Sequence, residues 1–135
     1  NPYYYRDKDK KEITEVAKSL SADGFDIYAT EGTAKTLTEA GVSVTTVKKL
    51  HEGRPNVYDM ITNGDFALVI NSPVGKNSVY DDSYLRKAAI KARVPYITTA
   101  AAALATAHGI NYVKNNAAGR LFSLQELHAM VKDKQ

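Results

Sequence analysis

The chain has no cysteine at all among its 135 residues. A disulfide framework, a zinc–thiolate site and a cysteine nucleophile are therefore excluded. No apolar run approaches the ~20 residues of a membrane span. The opening stretch NPYYYRDKDKK has no apolar segment of the kind a secretory signal needs. Charge of one sign is also scarce in blocks. The longest basic cluster, Lys8 to Lys11, is broken by Asp9, and the net charge is only +3. That is no nucleic-acid tail; the cluster reads first as the solvated start of a helix and, as the sharper alternative, as one wall of an anion site. The three histidines, His51, His108 and His128, lie in unrelated segments, and no pair has metal-ligand spacing. No metal is assigned, and a cytosolic setting without membrane or nucleic-acid partners is expected.

What is present is ordinary globular material: 44% hydrophobic and 24% charged residues. A chain of this length makes one domain and buries about two thirds of its unfolded surface. Hydrophobic periodicity alternates between strand and helix. Tyr3 to Arg6 is a short β-prone run. Asp9 with Glu12 forms a capping box opening a helix whose buried face is Ile13, Val16, Ala17 and Leu20. Asp23-Gly24 stops it. Further strands are expected at Phe25 to Ala29, Val42 to Val47, Phe66 to Ile70 and Tyr96 to Thr98. Helices are expected on Ala34, Leu37 and Ala40, on Val57, Met60 and Ile61, on Leu85, Ala88, Ala89 and Ala92, and over Ala100 to His108. Asn71 to Ser83 reads as a long polar loop, with Asp81-Asp82 capping the helix that follows it. Ser123 with Glu126 opens a last helix. Strands alternating with helices imply parallel βαβ units. The expectation is one α/β domain over 1–135, a three-layer α/β/α fold with a five-stranded parallel sheet.

In such a sheet, ligands bind beyond the carboxyl ends of the strands. The residues there are Arg6, Asp7, Lys8 and Lys10; Thr30-Glu31-Gly32-Thr33; Lys48 and Lys49 followed by His51-Glu52-Gly53-Arg54-Pro55; Asn71, Ser72 and Lys76; and Thr98 and Thr99. The set is rich in hydroxyls, amides and cations and poor in carboxylates. Thr30 and Thr33 flank Gly32 where a helix starts, and a helix N-terminus favours an anion. With Lys10 and Lys49 nearby, the combination suits a phosphate. Simple N-capping by Thr33, with Gly32 easing the turn, fits the same residues. Asn71 is either a satisfied turn amide or a hydrogen-bonding partner for a ligand, and Thr98-Thr99 is either a ligand contact or a strand end and helix cap. No residue pattern is a strong catalytic signature, so no catalytic residue is assigned.

The segments RDKDKKEI, GFDIYATEGTAKTLTEAGV, KKLHEGRPNVYDMITNGDFALVINSP, VPYITTAAAALA and FSLQELHAMVK together resemble one family. It is the methylglyoxal-synthase-like domain that closes the large subunit of carbamoyl phosphate synthetase. The resemblance runs from about Arg6 onward. Two departures stand out: Tyr3 to Tyr5 replace the family's apolar first strand, and Pro73 replaces a family threonine. The resemblance implies a regulatory domain, a fragment of a longer subunit, that binds nucleotide effectors (UMP, IMP) without transforming them; ornithine acts on some members. The remaining domains of the large subunit and a glutaminase small subunit are implied as partners. The parent enzyme is an ATP- and Mg2+-dependent ligase supplying carbamoyl phosphate to pyrimidine and arginine biosynthesis, with no cofactor in this domain. The family's phosphate-binding positions match Lys10, Thr30, Thr33 and Lys49, with Asn71 for the asparagine after the fourth strand; Gly32 lies in the same turn. Ser72, Lys76, Thr98 and Thr99 are candidates for the rest of the effector.

An enzyme alternative is methylglyoxal synthase itself, a phosphate lyase acting on dihydroxyacetone phosphate. Where that family carries an aspartate base, this chain has Arg54 within Glu52-Gly53-Arg54-Pro55-Asn56. An arginine stays protonated and cannot accept a proton from carbon. The cyclohydrolase domain of the purine-pathway bifunctional enzyme starts similarly but needs a Lys-Thr-Leu-His-Pro-like segment that is lacking. A structural module with an empty, vestigial site is the third alternative.

Overall fold

The computed structural model describes residues 2–71 and 76–116, with 2–9 and 76–80 described by backbone alone. The elements run α1 (Pro2–Ala22), β1 (Tyr28–Thr30), α2 (Glu31–Glu39), β2 (Thr45–Val47), α3 (Val57–Thr62), β3 (Val69–Ile70), α4 (Lys76–Lys91), β4 (Tyr96–Ile97) and α5 (Ala100–Asn115). The α/β alternation is as expected, and every strand pairing is parallel. Among the described residues the single five-stranded sheet is not found. The described strands form two separate two-stranded sheets, β1–β2 and β3–β4.

The difference has local causes. Tyr3 to Arg6 continues α1 instead of forming a strand. Pro2 supplies a fixed φ at the first helical position, and no glycine or proline interrupts the run until Gly24. Asp9 consequently lies inside the helix, not at its cap.

Several strands are shorter than the apolar runs because helix ends consume the first residues. Phe25 N–H donates to the Leu20 carbonyl and Gly24 N–H to Ser21, the hydrogen-bond pair that closes a helix through a left-handed residue. Gly24 takes that residue's φ, +100°. Val42 is bonded to Leu37 in the same way. Phe25 and Val42 are therefore caps as well as core. Val94 closes α4 onto Ala89, and Thr99 caps α5, which leaves β4 only Tyr96 and Ile97. Such a short β4 limits the β3 ladder to Val69 and Ile70.

Helix lengths also depart from expectation. Residues 76–83, read as loop, are the first turns of α4, so Asp81 and Asp82 lie within the helix. The fifth helix runs past His108 to Asn115. The last expected helix, from Ser123, lies outside the described residues.

Among the described residues three apolar clusters hold the elements. Val16, Leu20 and Phe25 pack with Ala103, Ala107 and Ile110, joining α1 to α5. Ile61, Val69, Leu85, Ala89 and Val94 join α3, α4 and β3. Ala17, Ala29, Ala34, Leu37 and Val42 seat α2 on β1 and α1. The alanines let these helices approach closely. No described helix is long and apolar enough to cross a membrane.

Candidate functional site

Parallel pairing brings the expected residues together in two groups. In the first sheet Thr30 is in register with Val47. The turn Thr30–Thr33 and the pair Lys48-Lys49 therefore leave the same edge from adjacent strands. Thr30 is the N-cap of α2, with φ −71° and ψ 161°, yet its hydroxyl makes no capping hydrogen bond. Capping by Thr33 is not what the structure shows; Thr33 stands in the first turn, exposed beside Gly32 and Glu31. A Cβ added at Gly32 would meet nothing within 4 Å, so there is open space over this helix start. The N-terminal amides of α2 face it without a side-chain cap.

Lys49 is exposed, and among the described residues its ammonium has no ion-pair partner. Its backbone N–H donates to Glu52 Oε1 at 2.6 Å, and Glu52 N–H returns to the Lys49 carbonyl at 3.1 Å. That reciprocal turn fixes where the lysine leaves the backbone. Lys10 is exposed on α1, its carbonyl accepting from Thr14 Oγ1 at 2.8 Å. No described contact joins it to Thr30, Thr33 or Lys49.

The second group lies at the ends of β3 and β4. Asn71 N–H donates to the Ile97 carbonyl at 2.9 Å, placing Asn71 beside Thr98. Thr99 is a helix cap: its Oγ1 accepts from Ala102 N–H at 3.1 Å. Lys76 opens α4, with only its backbone described. Ser72 and Pro73 lie outside the described residues.

Asn71 belongs to a polar network that the sequence reading missed. Its Nδ2 donates to the Tyr96 hydroxyl at 2.8 Å and to Asp82 Oδ1 at 3.3 Å. The Tyr96 hydroxyl donates to Asp82 Oδ1 at 2.6 Å. Arg86 closes the set, Nη2 to Asp82 Oδ2 at 2.8 Å, with its guanidinium 5.6 Å from the centre of the Tyr96 ring. Asp82 is only 6% exposed, so its charge is held by these donors. Burial first, then the bond to Asp82, raises the Tyr96 hydroxyl above the usual phenol range. The one legible signal was the Asp82–Arg86 spacing of four on a helix.

The loop from β2 to α3 is tied down separately. Asn56 caps α3 by accepting from Tyr58 and Asp59 N–H, and Asp59 returns the bond to Asn56 N–H. Arg54 holds the same Asp59 through Nη2 and Nε at 2.6 and 3.3 Å. That hydrogen bonding raises Arg54 above its ordinary pKa and lowers Asp59 below its own. His51 Nε2 lies 3.3 Å from Asp81 on α4. An open hollow of about 420 Å³ there is lined by Leu50, His51, Arg54, Asn56, Tyr58 and Tyr84 among others, and by none of the predicted phosphate residues. No group of three His, Asp or Glu among the described residues could hold a metal.

These are candidate ligand residues at the sheet edges of an α/β domain, and comparison with known sequences places the chain more closely. Residues 12–98 match the family model described as MGS-like domain, and the chain belongs to that family. It is 41% identical over 128 residues to a carbamoyl phosphate synthase large chain of Methanosarcina barkeri, covering 95% of this chain and 32% of that one. It is 49% identical over 108 residues to the "Carbamoyl phosphate synthase large chain, C-terminal section" of Aquifex aeolicus, 80% of this chain and 20% of the relative. The corresponding section from Methanocaldococcus jannaschii is 43% identical over 130 residues, 96% and 21% respectively. The chain thus spans between a fifth and a third of the length of these relatives.

Proposed function

We propose that this chain is the regulatory, nucleotide-binding domain of a glutamine-dependent carbamoyl phosphate synthetase large subunit, binding a UMP- or IMP-type effector without transforming it. The observation that carries the reading is the register of Thr30 with Val47 at the start of α2. It puts an uncapped helix N-terminus, two threonines and Lys49 at one edge. Backbone amides and hydroxyls there hold a phosphate by hydrogen bonds, and lysine adds charge. Asn71 meets the sugar or base. Lys10 completes the cation set in this reading, and Ser72, Lys76 and Thr98 belong to the outer part of the effector site.

The relatives' names support the assignment to a carbamoyl phosphate synthase large chain; in this reading the parent enzyme is cytoplasmic, uses ATP and Mg2+ in its other domains and takes nitrogen from a glutaminase subunit. An effector controls such an enzyme only through different affinities for two of its states, typically ~1–3 kcal/mol apart. Turnover by this domain is disfavoured by Arg54, which stands where a lyase would need its base and is engaged by Asp59.

Calorimetric titration of the chain with UMP, IMP and inorganic phosphate tests the reading. Saturable heat with a nucleotide is expected. No heat and no thermal shift with any of them would leave a vestigial site instead. Phosphate release from dihydroxyacetone phosphate above background would return the lyase.

A further inference from the structure

Asn71 does not meet the edge of the sheet as a freely turning amide. Its nitrogen lies 2.8 Å from the Tyr96 hydroxyl and 3.3 Å from Asp82 Oδ1. Those partners determine which end of the amide faces inward. Tyr96 has one hydroxyl proton, and the 2.6 Å contact to Asp82 Oδ1 takes it. The phenol oxygen then has only lone pairs to offer Asn71, and an ionised carboxylate has nothing else. Arg86 Nη2, 2.8 Å from Asp82 Oδ2, engages the other carboxylate oxygen in an ion pair. Turning the amide over would set Oδ1 against two acceptors, one of them anionic, at a half-buried position. The amide carbonyl oxygen is the end left over. Among the described residues the side-chain hydrogen bonds of Asn71 are those of its Nδ2, and none is made by Oδ1.

We infer that Tyr96 and Asp82 are positioning residues for the ligand site, holding Asn71 so that it presents an acceptor, and that the ligand group received there is a hydrogen-bond donor: a sugar hydroxyl or a ring N–H, not a phosphate oxygen. This deepens the proposed effector reading and rests on it. It also divides the labour between the two sheets. The β1–β2 edge supplies donors and cations for the anionic part of the ligand, and the β3–β4 edge supplies an acceptor for its uncharged part.

The split makes the inference testable on the chain itself, with three variants, Asn71→Ala, Tyr96→Phe and the double variant, titrated against UMP, IMP and inorganic phosphate. Circular dichroism and the thermal midpoint establish that each is folded. Tyr96→Phe removes one hydroxyl and keeps the ring, so Arg86 still stacks and still holds Asp82. Each single variant is expected to weaken nucleotide binding by about tenfold, the worth of one well-placed hydrogen bond. Inorganic phosphate, bound at the other edge, changes by less than about twofold by the same scale. The double variant binds nucleotide no more weakly than Asn71→Ala alone, because the hydroxyl acts only through the amide. Equal losses for phosphate and nucleotide overturn the inference, as does a Tyr96→Phe chain with unchanged nucleotide affinity beside a weakened Asn71→Ala. Failure of the underlying effector reading looks different: the unaltered chain then binds none of the three probes.

Discussion

Arg54 and Asp59 form a forked ion pair, two guanidinium nitrogens on two carboxylate oxygens. Asp59 Oδ2 also accepts from Asn56 N–H at 2.9 Å, so one carboxylate fastens both the arginine and the cap of α3. With Arg54 spoken for, the β2–α3 loop is a structural clasp, and under the proposed reading the anion falls to the Lys49 side of the same loop.

The clasp has a pH dependence of known sign. Asp59 titrates below its ordinary value of 3.8 in the folded chain, first because of the Arg54 hydrogen bond and then because of Asn56. A lowered carboxylate pKa contributes stability that is complete above the unfolded value and is lost as pH falls through the folded one. Thermal midpoints of the unaltered chain and Asp59→Asn should differ at pH 7, begin to converge below the ordinary carboxylate value, and coincide in stronger acid. A difference that stays constant down to that acid range would remove Asp59's charge from the account.

Lys49→Ala and Thr33→Val should each weaken nucleotide and inorganic phosphate binding by about tenfold or more, as expected for charge-assisted hydrogen bonds. Both residues are exposed, so the fold should be untouched. Binding should also weaken with added salt, because solvent-exposed charges are screened. Calorimetry at two salt concentrations checks both, and unchanged affinity in both variants would put the phosphate elsewhere.

Arg93 is the left-handed residue that ends α4, with φ +59°, a role glycine fills at Gly24, Gly41 and Gly64. Its side chain is exposed. Arg93→Gly should stabilise the chain by up to about 1 kcal/mol, since a β-carbon is disfavoured in that conformation. Urea unfolding should show a raised midpoint at unchanged slope; a lowered midpoint would mean the arginine has a compensating contact.

Ile110 is 1% exposed in the cluster between α1 and α5. Ile110→Ala should cost about 3 kcal/mol, the usual toll of an emptied aliphatic site with its cavity. A loss below about 1 kcal/mol would show that the alanine-rich interface collapses around the gap.

What the residues disclosed follows from what acts locally. Periodicity located every described helix, and Asp23-Gly24, Gly41 and Asn63-Gly64 marked their ends, because a positive φ is a local demand. The site turn at Thr30–Thr33 was legible for the same reason, since it only required a strand to end where a helix begins. Strand lengths were not. Phe25 and Val42 are apolar and strand-prone, but their N–H groups close helices, and hydrophobicity does not reveal which hydrogen bond a backbone takes. Tyr3 to Arg6 misled through β propensity, which a neighbouring helix overrides. The Asn71–Tyr96–Asp82 network draws on the end of β3, on α4 and on β4, and no local pattern shows that the parallel register of β3 and β4 sets Asn71 beside Tyr96 or that α4 turns Asp82 toward both.

The α1–α5 contact sets a timetable for biosynthesis. Val16 and Leu20 are covered by Ala103, Ala107 and Ile110, while Lys114 Nζ reaches the Asp23 carbonyl at 2.6 Å and lies 4.5 Å from the Phe25 ring. Helix α1 leaves the ribosome ahead of α5 and therefore carries a bare oily stripe until α5 follows it out. A nascent chain halted before residue 100 should accordingly be held by chaperones, and released once α5 arrives.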